Sequence, residues 1–489
     1  MSPTRYVLAL DEGSTGVRAL LFDRQGNVAG RAYREVDALY PHPGWVEHDA
    51  DAVWERTLEI ARAALAAAGA GGRDVAAIGV TGQRSTAVAW SRATSRALHP
   101  AVSWQDLRSA DRCSELAAEG HFASPLAAAT KLEWLVRNVD AVRAAMASGD
   151  ARLGSLESWL VWKLSGGAAH VTDPSFASTT CLYDFLEARW NGPLLGLLGL
   201  PEDALPQIRA SSETYAVTEA SLFGTSIPIA ALAGDQQAAM FGQLCVDAGA
   251  VKISYGTSAM GNLNGGTSLL LSSAGAFPLV LWKLGDALHY CLEGNAISAG
   301  AAIQWLRDGL GILSSVSESD PVARSVADSG GAWCVPAFQG LGTPHLDPAA
   351  RAAIGGLSRG SSPAHVVRAV LEGVALRCAE VFDALAADSP AGRPALLHAD
   401  GGAAANDLLL QLQSDVLGVP VERPQVLEAA ATGAAYLAGL AVGFWPDVEA
   451  LRGIRRLGAR FEPRISPAER EERRERFRKQ VAAVRDVVS

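Results

Sequence analysis

Apolar positions near the start of the chain come in short runs cut by polar turns. Tyr6-Val7-Leu8-Ala9-Leu10 runs into the glycine-bearing stretch Asp11-Glu12-Gly13-Ser14-Thr15-Gly16, and Val17 to Asp23 (VRALLFD) follows. Arg24-Gln25-Gly26-Asn27 marks the next turn, and Val28 to Val36 the next run. Runs of this length bounded by turn residues predict strands, and their close spacing predicts an antiparallel meander. This is not the strand–loop–helix of a dinucleotide or P-loop unit, and neither glycine fingerprint of those units occurs here.

Helical spacing then covers Ala50 to Ala68. Val75 to Gly79 reads as a strand that ends at Thr81-Gly82-Gln83-Arg84, and Thr86 to Trp90 as another. A helix is predicted from Ser103-Trp104-Gln105-Asp106 toward Ala118, with further helices at Leu132 to Arg137 and Leu156 to Leu164. Ile227 to Ala233 is an apolar strand that ends at Gly234-Asp235-Gln236-Gln237. Half a chain after the first hairpin, Ala250 to Tyr255, the turn Gly256-Thr257-Ser258 and a further strand repeat its pattern, which predicts two halves of related architecture. Later helices are predicted at Ala302 to Leu310, Ala364 to Leu385, Asp407 to Leu417 and Ala429 to Val442, with a strand at Ala395 to His398. Ser466 and Glu469 form a capping box with Pro467 at the first helical position, so Ser466 to Val488 reads as a helix. Its charges alternate in sign, which describes a solvated face.

Composition narrows the class. The 489 residues are 49% hydrophobic and 19% charged, which is globular. That length exceeds what one core usually holds. A net charge of −10 with dispersed Lys and Arg argues against a basic nucleic-acid platform. Six widely spaced cysteines without a CxxC predict reduced thiols, and the nine scattered histidines show no zinc spacing. The apolar start is too short for a signal h-region. The most apolar stretch, Ala429 to Trp445, is interrupted by Gly433, Gly439 and Gly443 and reads as a buried helix. The expectation is a cytoplasmic protein with no membrane or nucleic-acid partner. The 49 glycines exceed the roughly 7% of average usage, and they concentrate in the turns.

Those turns carry the chemistry. In Asp11 to Gly16, glycines let backbone N–H groups approach an anion, and Ser14 and Thr15 add hydroxyls. Asp11 at a strand end can face a metal ion, and Arg18 is placed to reach phosphate oxygens. Taken alone, the stretch is also compatible with an ordinary turn. Thr257 and Ser258 repeat it. Asp235, beside a glycine at a strand end, is placed for a general base that takes a proton from a hydroxyl attacking phosphorus, although such an Asp also serves as a helix N-cap. Asp400-Gly401-Gly402 joins a strand to a helix, and Asn406 offers an amide for a nucleoside edge.

In chain order, LALDEGSTGVRALLFD, GWVEHDADAVW, TGQRSTAVAW, SWQDLRSADRC, TKLEWL, HVTDPSFAST, GDQQAAMFGQLC, YGTS, GAAIQWLRDGLG, GLGTPHLDPAAR, DGGAAANDLLLQLQSD and GAAYLAGLAVGFW resemble the FGGY family of carbohydrate kinases, most closely its glycerol kinase branch. The resemblance spans nearly the whole chain. It implies an α/β fold of two actin-like (ribonuclease H-like) domains, 1–245 for substrate and phosphate and 246–489 for nucleotide, with an interdomain catalytic cleft. It also implies ATP with Mg²⁺, a small polyol or sugar as acceptor, and a homo-oligomer (dimer or tetramer). Ser14, Thr15 and Arg18 would contact the terminal phosphates, as would Thr257, Gly300 and Gln304. Gly402 and Asn406 would hold adenosine. Asp11 would lie by the metal together with Asp235, which is also the general base. Arg84, Ser85, Trp104, Asp235 and Gln236 would line the acceptor pocket.

That pocket departs from the glycerol kinase pattern. The branch reads Gln-Arg-Glu where this chain has Gln83-Arg84-Ser85, a Tyr where it has Leu126, and a Phe where it has Met260. Losing a carboxylate and a phenol removes hydroxyl partners, and a site built on such bonds discriminates strongly. The expectation is an acceptor larger than glycerol, with glycerol kinase proper as the alternative. An Arg that binds a sugar bisphosphate in many bacterial members is Ser226 here, so no such inhibition is expected. A non-catalytic actin-like ATP-binding regulator and a phosphohydrolase are further readings. Asp11, Asp235 and both turns count against the regulator, and the GDQQ and QRS elements favour a bound acceptor over hydrolysis.

Overall fold

In the computed structural model, which describes residues 4–486, the chain forms two compact units. The first comprises the described residues up to Leu244 together with Leu279–Leu288 and Ala430–Arg455; the second comprises Cys245–Pro278, His289–Ala429 and the described residues from Arg456. A single cut after residue 245 would place two of these segments in the other half.

The first unit is built on a six-stranded sheet ordered Ser212–Val217, Pro228–Gly234, Val75–Gly82, Tyr6–Glu12, Gly16–Phe22, Val28–Glu35. The expected meander is present, since the strands from residues 6 to 35 pair antiparallel in succession. Val75–Gly82 lies parallel to Tyr6–Glu12 on one side and to Pro228–Gly234 on the other. Glu12, Gly82 and Gly234 are register partners, so three strands end together. Their C-terminal ends deliver the 11–16 turn, the 83–85 segment and Asp235 to one edge. Edges of this kind are where α/β sheets place ligands.

Helix Ala50–Ala67 covers one face. Asp49 caps it by accepting the Ala52 N–H at 3.0 Å, and Val53, Ile60 and Ala64 pack against Leu8, Leu10, Val17 and Leu21. The late segment Ala429–Ala441 is also a helix. A Cβ on Gly79 would lie 2.2 Å from the Ala434 carbonyl, so strand and helix backbones meet directly there. Trp445 Nε1 donates to the Arg24 carbonyl at 3.0 Å, and Ser212 Oγ to that of Leu437 at 2.7 Å.

In the second unit, Ala259–Gly266, Val251–Tyr255, Leu397–Asp400, Val421–Pro424 and Leu457–Phe461 are successive neighbours in a sheet. Val251–Tyr255 pairs antiparallel with its hairpin partner and parallel with Leu397–Asp400, the arrangement seen around Tyr6–Glu12. The 25-residue helix Pro363–Ala387 buries Val367, Val370, Leu371 and Phe382 against Ile253, Leu263 and Leu397. None of the six cysteines is joined in a disulfide.

Two expectations change. Residues 103–109 are turn rather than helix, and the helix begins at Ala110. Asp106 diverts the backbone: its carboxylate accepts the Val46 N–H at 2.6 Å and the Arg108 N–H at 2.9 Å. The final helix, Pro467–Asp486, is not solvated all round, because Phe477, Val481 and Val484 are buried against Val335, Ala337 and Leu341. The last two residues expected in that helix lie outside the described residues.

Candidate active site

In the first unit, Asp11 and Arg18 are opposite one another across the hairpin, and Arg18 Nη1 lies 3.3 Å from Asp11 Oδ2. Asp11 is buried, while the Arg18 guanidinium is partly exposed over the Tyr33 ring. The turn between them is closed by the Gly13 N–H on the Gly16 carbonyl at 3.0 Å, which leaves Thr15 exposed and Ser14 half-buried. Ser14 Oγ receives the Trp104 indole N–H at 2.8 Å.

The neighbouring strand ends bring together Arg84 and Asp235. Arg84 Nε lies 3.1 Å from Asp235 Oδ1, and its Nη1 donates to Gln237 Oε1 at 3.5 Å. A Cβ at Gly234 would stand 2.7 Å from both Arg84 Cδ and Gln237 Oε1, so glycine is what admits the arginine. Asp235 opens helix Asp235–Gly242 without capping it, and its Oδ1 accepts the Gln236 N–H at 2.8 Å. Behind it, the Gly234 N–H donates to Ser175 Oγ at 2.8 Å, and Ser175 donates to Asp173 at 2.7 Å. Asp173 is fully buried. Desolvation lifts its carboxyl to about 6, against the pull of Ser211, Phe176 and Ser175 as donors.

Ser85, expected as an acceptor contact, gives its hydroxyl proton to the protein itself. It adopts a left-handed φ of 61°, and its hydroxyl donates to the Thr179 carbonyl at 2.8 Å. It is buried, so the hydroxyl is committed to protein. Leu126 is 46% exposed. The carbonyl of Trp104 accepts Lys131 Nζ at 2.9 Å. Lys131 is fully buried, and desolvation drives its amine down to about 7.

The second unit gathers the other expected residues. The Gly256 carbonyl accepts the Gly300 N–H at 2.9 Å, and that of Thr257 accepts the N–H groups of Ala299 and Ala301 at 3.0 Å. This seats the exposed 256–257 turn on the start of helix Gly300–Asp308, from which Gln304 projects exposed. Gly401 takes φ 87°, and a Cβ there would meet the Tyr255 carbonyl at 2.7 Å, so both loops leave the sheet side by side. Gly402 is exposed with open space around it. Asn406 caps helix Asp407–Leu417. Its Oδ1 accepts the Leu409 N–H at 2.8 Å and its Nδ2 donates to Ser319 Oγ at 3.1 Å, so much of its hydrogen-bonding capacity is already used.

Glu12, beside Asp11, was not singled out in the sequence. It is buried, and desolvation pushes its carboxyl up to about 8 despite the Thr57 hydroxyl at 2.7 Å. Its Oε2 has no hydrogen-bond partner. Lys131 and Asp173 carry no such signal in the sequence; they show only as polar residues beside apolar ones.

Among the described residues, no group of three or more His, Cys, Asp or Glu forms a metal cage. A nucleotide-borne Mg²⁺ needs only one or two carboxylates, and the strand-end carboxylate of Asp11 fits that demand.

Residues 6–242 match the N-terminal domain of the FGGY family of carbohydrate kinases, and residues 251–442 match its C-terminal domain. A glycerol kinase of Dechloromonas aromatica is 46% identical over 473 residues, covering 94% of each chain. Among solved structures, Plasmodium falciparum glycerol kinase with ADP superposes with a TM-score of 0.90 at 26% identity, covering 99% of this chain and 98% of that one. A xylulose kinase of Brucella ovis gives 0.84, also at 26% identity, covering 99% of this chain and 100% of that one.

Proposed function

The chain belongs to the FGGY family of carbohydrate kinases, and from that premise we propose that it transfers the γ-phosphoryl group of ATP to a hydroxyl of a small polyol or sugar. The pairing of Arg84 with Asp235 carries this reading. Arg84 orients an acceptor hydroxyl beside the carboxylate, and Asp235 takes that hydroxyl's proton as its oxygen attacks phosphorus. Gln236 and Trp104 complete the acceptor wall. The Ser14–Thr15 turn and Arg18 offer donors to the terminal phosphates, as do Thr257, Gly300 and Gln304, while Gly402 and Asn406 face the nucleoside. Asp11 and Asp235 would be the protein carboxylates beside an ATP-bound Mg²⁺, which would offset charge on the phosphates.

The acceptor we favour is larger than glycerol. Ser85 and Leu126 stand where the glycerol pattern has a carboxylate and a phenol, and the Ser85 hydroxyl is taken by Thr179. The second reading is glycerol kinase proper, favoured by 46% identity to a protein of that name. A panel of C3 to C6 polyols and ketoses, followed by ADP release, separates the two. The first reading expects the best kcat/KM beyond C3; glycerol ahead by orders of magnitude selects the second. No acceptor-dependent ADP release from any member would refute both.

A further inference from the structure

Four residues of the first unit close a hydrogen-bonded ring. Trp104 Nε1 donates to Ser14 Oγ at 2.8 Å, and Ser14 Oγ donates to Gln83 Oε1 at 3.4 Å. Thr86 Oγ1 donates to the same Gln83 oxygen at 2.9 Å and accepts the Trp104 backbone N–H at 3.2 Å. Gln83 Nε2 also reaches the Gly13 carbonyl at 3.5 Å. Thr86 is fully buried and Gln83 nearly so, which keeps water from replacing these bonds. The ring ties together the phosphate turn, the segment carrying Arg84, and Trp104.

We propose that this ring is a positioning device that holds the acceptor wall and the phosphate turn to one common reference, with Gln83 and Thr86 as its positioning residues. The inference rests on reading Ser14 as a phosphate contact and Trp104 as an acceptor contact. In the ring the Ser14 hydroxyl gives its one proton to Gln83, so what the ring holds for a phosphate is the backbone N–H groups of the Ser14 turn; without it the Ser14 side chain samples several rotamers and the indole tilts. The ring fixes both through one amide oxygen. Phosphoryl transfer needs the reacting atoms aligned at roughly 3–3.5 Å, and a displacement of about 1 Å costs on the order of 10²-fold in rate. A residue that shapes one wall affects one substrate. A residue that ties the walls together affects both.

Thr86→Val keeps the shape and removes both ring bonds made by the hydroxyl, whereas Thr86→Ser keeps the hydroxyl. Steady-state kinetics with ATP and the fastest acceptor of the panel, with melting curves in parallel, test the idea. Thr86→Val is expected to raise KM for acceptor and for ATP together, each by about 10-fold, and to lower kcat, with Thr86→Ser within about 2-fold of the parent. Gln83→Met is expected to reproduce the joint rise and serves if the valine variant does not fold. A lower melting temperature with both KM values unchanged would mean a merely structural role and overturn the proposal. A serine variant as impaired as the valine one would also overturn it. Ser14→Ala and Trp104→Phe are the reference pair. If neither moves a KM, the site reading fails and takes the ring with it. If both do while Thr86→Val and Gln83→Met do not, the ring alone fails.

Discussion

Arg84 Nε lies 3.1 Å from Asp235 Oδ1, across two strands that end in register at Gly82 and Gly234. The two residues are 151 positions apart, and only the parallel pairing of those strands makes them neighbours. The proposed general base and the proposed hydroxyl-orienting cation thus share one sheet edge.

Replacing the base tests that assignment most directly. Asp235→Asn retains shape and loses proton affinity, so kcat is expected to fall by about 10²–10⁴-fold. Nucleotide affinity, read by ADP calorimetry, should stay within a few-fold of the parent. Near-normal turnover would remove Asp235 from the mechanism.

Gly234→Ala asks whether the arginine needs the space. The new methyl would meet Arg84 Cδ and Gln237 Oε1 at 2.7 Å, so the guanidinium must shift. Acceptor KM is expected to rise at least several-fold, with a stability loss of about 1–3 kcal/mol from overpacking. An unchanged KM would show that Arg84 tolerates displacement.

Glu12 makes stability pH-dependent in a definite direction. Its folded carboxyl titrates at about 8 against 4.5 in the free residue. Between those values the folded state keeps a proton that the unfolded state has lost, so this group's contribution falls as pH rises. Glu12→Gln needs no proton. It is expected to melt close to the parent at about pH 5 and above it at about pH 8. Parallel melting curves across that range would show that Glu12 is ionised in the fold.

At Gly401, φ of 87° and the Tyr255 carbonyl 2.7 Å from a built Cβ leave no room for a side chain. Gly401→Ala is expected to displace the 402–406 loop and weaken ADP binding by about 10-fold or more, with the acceptor KM little changed. Calorimetry with ADP reads the first and kinetics the second.

Ser226 is exposed where an arginine would be needed to bind a sugar bisphosphate. Adding fructose bisphosphate is expected to leave turnover within about 2-fold, because serine offers no bidentate cation for a phosphate. Clear inhibition would point to another anion site.

Much of the fold was legible because it rests on local signals. The meander from Tyr6 to Glu35, helix Leu156–Leu164 and helix Asp407–Leu417 follow from runs, turns and caps within a few residues. Residues 103–109 misled because the force that turns them is long-range: Asp106 binds the Val46 N–H, which no local window contains. The same distinction runs through the site. Asp11, Ser14 and Asp235 stand out as candidates because they lie at or just past strand ends, near glycines. Ser85 reads as a pocket residue by position, yet its hydroxyl is claimed by Thr179, a partner 94 residues away. Asn406 was visible as an amide, but Ser319 and its own helix already use much of it. Lys131 and Asp173 matter through burial, which sequence does not display.

The helix at Ala429–Ala441 and the residues through Arg455 bear on how the protein is made. A ribosome has released the strands up to Gly234 long before it reaches Ala434, whose carbonyl lies against Gly79, or Trp445, which bonds to Arg24. The first unit therefore waits, incompletely covered, while most of the second is synthesised. A fragment ending at residue 245 carries the same deficit permanently. It should expose apolar surface and aggregate unless both 279–288 and 430–455 are supplied, by fusion or in trans. The order of synthesis and the order of structural completion differ in this chain, and the newly exposed interval falls on the unit that holds Asp235.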